Sequence, residues 1–149
     1  MRMILQRVLE AKVSVRGQIA GQIGSGLLAY VSVGSDDTEK DVDYIADKLL
    51  NLRIFSDEQD KMNLCVKDVN GAILLISNFT LHGDCRKGRR PALYQAAEPQ
   101  KSQDIYEQLI KKISSSDVTI QTGMFGEQMD VSSINDGPIN FLVDSSRLF

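Results

Sequence analysis

Tryptophan is absent from this chain, histidine occurs once, cysteine twice and proline three times in 149 residues. One histidine and two cysteines, Cys65 and Cys85, match neither a standard zinc spacing nor a disulfide framework. No apolar run approaches the roughly 18 residues that a membrane span needs; the longest are patches such as Ala72–Ile76. After Met1-Arg2 the apolar stretch is interrupted by Gln6 and Arg7, too soon for a signal peptide. The expectation is a cytoplasmic protein, not bound to a membrane, with reduced thiols. Nor is there an excess of positive charge. The net charge is −3, so any contact with nucleic acid has to rest on a local basic patch. Repeats, low-complexity tracts and Pro- or Gly-rich linkers are all lacking.

Hydrophobic residues make up 42% and charged residues 25%, close to the globular norm. A chain of this length forms one domain, residues 1–149, and buries about two-thirds of its unfolded surface without staples.

Met3 to Leu9 alternates, as do Val13 and Val15 among Lys12, Ser14 and Arg16, the pattern of half-buried strands. Arg16-Gly17 suits a hairpin turn into Gln18–Ile23. Leu27–Val33 is a nearly continuous apolar run, as in a strand buried on both faces. From Asp36 to Phe55 the period becomes helical through Val42, Ile45, Ala46, Leu49 and Leu52. Thr38 caps this helix and Asp41 follows three residues later. Asn63–Val69 alternates again, Asn70-Gly71 is a hairpin signal, and Ala72–Leu81 is the returning strand. Residues 82–98 form a polar loop. Pro99 starts a second helix, whose stripe is Ile105, Leu109, Ile110 and Ile113. Val118–Gln121, Gln128–Ser133 and Ile139–Val143 read as late strands, the last two flanking a tight turn at Asn135–Pro138. The class is α+β, a mostly antiparallel, barrel-like sheet with two main helices packed outside.

Four segments have chemical content. Ser77, Asn78, Phe79 and Thr80 end a strand with hydroxyls and an amide beside free backbone N–H groups. A threonine nucleophile needs a nearby base. The sole candidates, His82 with Asp84 behind it, are too close in sequence for a triad, so Ser77–Leu81 also reads as plain strand. Arg86, Lys87, Arg89 and Arg90 place four cations within five residues, an anion-binding surface or a solvated loop. No aromatic stands within the run, so it grips a backbone and does not read bases. Gly137-Pro138 leaves bare carbonyls, either in a trans turn or, if cis, as a pair of acceptors. Phe125, Gly126 and Met129 suit either a loop against which a flat base packs or a core plug.

Taken in order, these residues resemble the D-aminoacyl-tRNA deacylases, also called D-tyrosyl-tRNA deacylases. The resemblance runs through Ile4-Leu5-Gln6-Arg7-Val8, Gly24-Ser25-Gly26-Leu27-Leu28, Lys48–Phe55, Lys61-Met62-Asn63-Leu64, Arg86–Pro91 and Val131-Ser132 leading to Asn135-Asp136-Gly137-Pro138. It implies the fold of that family and an editing hydrolase that cleaves the ester of D-aminoacyl-tRNA, without metal or cofactor. It also implies a homodimer with two sites at its interface. Gly137 and Pro138, joined by a cis bond, would enter from the partner subunit and exclude L-aminoacyl groups, while D-aminoacyl groups and glycine are admitted. Arg7 and Asn135 would hold that element. Backbone N–H groups of Phe79 and Thr80 would hold the ester beside Ser77 and Asn78. Phe125, Gly126 and Met129 would border the terminal adenosine, and Arg86, Lys87, Arg89 and Arg90 would meet the tRNA. With no evident protein base near Thr80, the 2′-OH of the tRNA would assist catalysis.

The chain departs from the family pattern at Asn78, where Gln is usual, at Asn140, where Thr is common, and at His82-Gly83-Asp84-Cys85. These departures leave two other readings. One is a non-catalytic tRNA-binding paralogue, and the other is a dimeric β-sheet interaction module.

Overall fold

Residues 1–148 are described by a computed structural model. β1 (Arg2–Val15) turns at Arg16-Gly17 into β2 (Gln18–Ile23). Both turn residues have positive φ, 51° and 78°, as a two-residue hairpin with the right twist requires. β3 (Gly26–Ser32) follows, then helix α1 (Glu39–Asn51), a small β4–β5 pair (Phe55–Ser56 and Met62–Leu64), β6 (Ala72–Ser77), a 3-10 turn (Phe79–His82), helix α2 (Pro99–Ser114), β7 (Ile120–Thr122) and β8 (Asp130–Asp144).

The main sheet runs β2-β1-β3-β6-β7, with β8 on the other side of β1. β1 is antiparallel to β2, β3 and β8, whereas β6 is parallel to both β3 and β7. The sheet curls into a near-barrel because its far edges approach each other. A Cβ at Gly21 of β2 would lie 2.7 Å from the carbonyl oxygen of Thr122 in β7, so only glycine allows that closure.

Two apolar layers explain the continuous run in β3. Leu27, Ala29 and Val31 join Ile73 and Leu75 of β6 beneath the helices. Leu28 faces the barrel interior with Leu74, Ile76, Val8 and Val13. Strands parallel to their neighbours are covered on both faces and lose the alternation of polar residues. The helices lie outside on the first layer through Val42, Ile45 and Leu49 of α1 and Ile105, Leu109 and Ile113 of α2. Thr38 opens α1, its N–H donating to the Asp41 carboxylate at 2.8 Å. Pro99 opens α2. No helix is long and apolar enough to cross a membrane among the described residues.

Three expectations are corrected. Asn70-Gly71 is a turn, with Asn70 at φ 51°, but it makes no hairpin. Both neighbours of β6 are parallel strands, and β5 pairs with β4 instead. The strand expected to reach Leu81 stops at Ser77, where the chain tightens into the 3-10 turn. The two late strands around Asn135–Pro138 are one strand. There Val8 pairs with Asn135 and Gln6 with Asn140. Arg7 alone therefore faces four residues, Asp136–Ile139, and the supposed tight turn is a large bulge within β8.

Candidate active site

The parallel strands β3, β6 and β7 end on the same side of the sheet, the side where parallel strands commonly present ligand sites. A cavity of about 480 Å³ opens there. Its floor is Ser77, the last residue of β6, with Asn78 and Phe79 directly after it, and its opposite wall is Phe125, Gly126 and Met129, just past β7. Two segments that are distant in sequence, each with its own chemical content, thus share one cavity. Phe125 is held by Tyr106 of α2, with ring centroids 5.8 Å apart. Met129 packs its sulfur where a Cβ of Gly123 would stand, 2.5 Å away.

Thr80 is exposed and is not part of the lining. Its hydroxyl donates to the Asn78 side-chain oxygen at 2.5 Å, so Asn78 restrains Thr80 through that oxygen. Phe79 and Thr80 open the 3-10 turn, and the opening N–H groups of a helical turn have no carbonyl within it to bond. The turn is gripped from beneath. Asn78 N–H donates to the Val31 carbonyl at 2.8 Å, the Ser32 hydroxyl lies 3.2 Å from the Phe79 carbonyl, and Arg2 donates to the Leu81 carbonyl at 3.1 Å.

His82 is not a base for Thr80. It is buried, and its Nδ1 lies 2.6 Å from the Ser32 hydroxyl. Ser32 has one proton to donate. A single arrangement satisfies both contacts, in which Nδ1–H donates to Ser32 and Ser32 donates to Phe79. Burial, and then the nearby Arg2 guanidinium, push the imidazole below its ordinary pKa, so it stays neutral at pH 7.

Gly137 and Pro138 are exposed and lie outside the cavity lining of their own chain. Their peptide bond is cis, and Gly137 has φ +120°, a conformation that L side chains rarely adopt. The bulge is tied down on both flanks. Asn135 donates to the Arg7 carbonyl at 2.8 Å and the Ile139 carbonyl at 3.2 Å, and Asn140 donates to Asn135 at 2.9 Å. Arg7 spans the gap. It donates to the Ile54 carbonyl at 2.8 Å and lies over the Phe55 ring, 6.0 Å from its centroid. Its Nε is 2.8 Å from the Asp136 carboxylate. That contact is an ion pair whose oxygen is off the N–H axis, since Nε makes no aligned hydrogen bond.

The four loop cations also lie away from the cavity lining, and they are not equivalent. Arg86 is clamped by Asp84 at 2.9 and 2.8 Å, which draws that carboxyl well below its usual range. Lys87, Arg89 and Arg90 are exposed. Both cysteines are free, Cys65 buried and Cys85 exposed.

The third wall, Leu93, Ala96, Ala97, Glu98, Pro99 and Ser102, was not foreseen as part of a site. Residues 95–97 are laced to the end of β3, with Ser35 N–H donating to Gln95 and Ala97 N–H to Val33 at 3.0 and 2.9 Å. Its only trace in the sequence was the small pair Ala96-Ala97 before the helix-starting Pro99, where missing side-chain volume leaves room.

Comparison with known proteins agrees with this architecture. The family described as D-Tyr-tRNA(Tyr) deacylase matches residues 4–144. A D-aminoacyl-tRNA deacylase of Thermotoga petrophila is 50% identical over 149 residues, covering all of both chains. One of Clostridioides difficile is likewise 50% identical over the full length of both. Among solved structures, one titled c-Myc DNA Unwinding Element Binding Protein superposes with a TM-score of 0.92 at 31% identity, over 97% of this chain and 98% of that one. Matched nearly from end to end by sequence and by fold, the chain belongs to the D-Tyr-tRNA(Tyr) deacylase family, a family of enzymes.

Proposed function

We propose that this protein is an editing hydrolase that cleaves the ester joining a D-amino acid to the 3′-terminal ribose of tRNA, and that it acts as a homodimer. The observation that carries the reading is the union of Ser77–Phe79 and Phe125–Met129 in one cavity, in a chain of this family.

The terminal adenosine lies against Phe125, Gly126 and Met129. The ester carbonyl sits at the mouth of the 3-10 turn, where the N–H groups of Phe79 and Thr80 stabilise the developing oxyanion. The ionisable side chains that line the cavity among the described residues are Glu98 and Glu127, on the walls away from the Ser77–Phe79 floor, and the Thr80 hydroxyl is engaged by Asn78. The 2′-OH of the tRNA therefore assists the attacking water, and the protein acts by orientation, which is worth up to about 7–11 kcal/mol.

Gly137 and Pro138 complete the site from the partner subunit. Their position outside their own cavity supports this, as does the exposed β8, which carries Ile134, Phe141 and Leu142 at the surface. The partner's backbone there leaves no room for an L side chain, whereas a D side chain points away and glycine has none. Lys87, Arg89 and Arg90 face the tRNA backbone.

The test is deacylation of D-Tyr-tRNA and L-Tyr-tRNA by wild type and Pro138→Ala. Loss of the D-ester alone, with discrimination weakened in the variant, is the expected result. If neither ester is hydrolysed while tRNA still binds, the enzyme reading falls. A nucleic-acid-binding role then remains, the second reading that the 31%-identical structure and its printed title favour.

A further inference from the structure

The cavity shares a wall with a second hollow. Leu93 lines the cavity. The next residue, Tyr94, lines a surface hollow of about 410 Å³ with Asp84, Arg86, Lys87 and Ala92. Consecutive Cα atoms are about 3.8 Å apart, so one thickness of chain separates the two spaces. That chain is firm, because Asp84 and Ala92 exchange both backbone hydrogen bonds, at 2.8 and 3.0 Å.

Tyr94 is 68% exposed, yet its tip is anchored. The hydroxyl donates to Asp84 at 2.9 Å, and the same carboxylate holds Arg86. A bare ring held in place loses little freedom when something flat settles on it. With Arg86 neutralised by Asp84, Lys87 leaves the hollow net positive, and Arg89 and Arg90 follow it along the loop. The basic run contains no aromatic of its own. The Asp84–Ala92 pairing brings one to it from the returning side of the loop.

Among the described residues Lys87, Arg89 and Arg90 have no carboxylate partner, and an exposed aromatic face beside such cations is the combination by which proteins hold single-stranded RNA. We infer that this hollow is a second nucleotide subsite, where the base preceding the terminal adenosine stacks on Tyr94 and its phosphate faces Lys87. The inference rests on the reading of the cavity as the site of the terminal adenosine. Stacking of this kind tolerates any base, so the subsite adds affinity without choosing among tRNAs by sequence.

The test compares binding of adenosine monophosphate with that of a short single-stranded RNA carrying the tRNA 3′-terminal sequence. In the wild type the added nucleotides tighten binding. In Tyr94→Ala that gain shrinks by about tenfold, the scale of one lost base–aromatic stack. Tyr94→Phe, which keeps the ring, retains most of it. Lys87→Ala lowers the slope of log affinity against log salt by about one. An undiminished gain in Tyr94→Ala would overturn the inference. So would an equal loss for the monophosphate and the longer RNA, which would mean a distorted cavity. Inorganic polyphosphate losing affinity in Tyr94→Ala as much as RNA does would also overturn it, since the hollow would then sense charge alone. Turnover of D-Tyr-tRNA, followed in parallel, tests the enzymatic reading separately. RNA binding that depends on Tyr94 without ester hydrolysis would keep the subsite and discard that reading.

Discussion

Asn135 makes three side-chain hydrogen bonds within the β8 bulge, two donated to carbonyls and one accepted from Asn140. Asn135→Ala leaves the Arg7 and Ile139 carbonyls short of a donor. The expected loss is about 1–3 kcal/mol of unfolding free energy, with weaker D/L discrimination because Gly137-Pro138 loses its anchor; denaturant unfolding and parallel ester assays measure both. His82 carries a pH prediction. Its pKa is lowered in the fold, by burial first and then by Arg2, with the amino terminus acting the same way and Asp37 and Asp144 opposing. The unfolded chain therefore takes up a proton near pH 6.5, which the folded chain resists. Stability falls as pH drops below about 6.5 and levels off once the folded-state pKa is passed. In His82→Phe that part of the acid limb is expected to vanish in thermal melts across pH 5–7.5.

At the scale of elements, the closure of the barrel depends on the meeting of β2 and β7. Gly21→Ala drives a Cβ to 2.7 Å from the Thr122 carbonyl, and the edges must part. A cost of about 1–3 kcal/mol is expected, and because β7 leads directly to Phe125–Met129, adenosine binding weakens as well. A melt together with adenosine monophosphate titration reads both effects. Helix α1 was legible through the Thr38–Asp41 pair and the 3.6-residue stripe, since caps and periodicity are local properties. Asn70-Gly71 carries the signal of a hairpin that the fold does not make, because a turn signal specifies a change of direction and says nothing about which strands then pair. The Asn135–Pro138 bulge has the composition of a tight turn for the same reason. Its residues do break the ladder, but β1 pairs with β8 on both sides of the break and keeps it one strand.

For the whole molecule, the proposed dimer places Ile134, Phe141 and Leu142 of β8 at the interface. A long strand with apolar side chains at the surface is a template for association. Sedimentation is expected to give twice the 16.5 kDa of one chain. Leu142→Glu should shift it to monomer and abolish D-ester hydrolysis, because neither chain then supplies Gly137-Pro138 to the other. A monomeric wild type that remains active would discard the cross-subunit element.

Local patterning was sufficient for the α+β class, for both helices, for the Arg16-Gly17 hairpin and for the buried character of β3, because each depends on residues a few positions apart. The ordered motifs from Ile4 to Pro138 were sufficient for the family, since many short matches in one order are specific where each alone is not. Which motifs share a cavity was decided only by the fold. The parallel alignment of β6 and β7 brings Ser77–Phe79 to Phe125–Met129, the lacing to β3 supplies the Ala96–Pro99 wall, and the Asp84–Ala92 pairing sets Tyr94 beside Lys87. These contacts join segments tens of residues apart, and no local propensity encodes them. They follow from which apolar faces can be buried together once the sheet has closed.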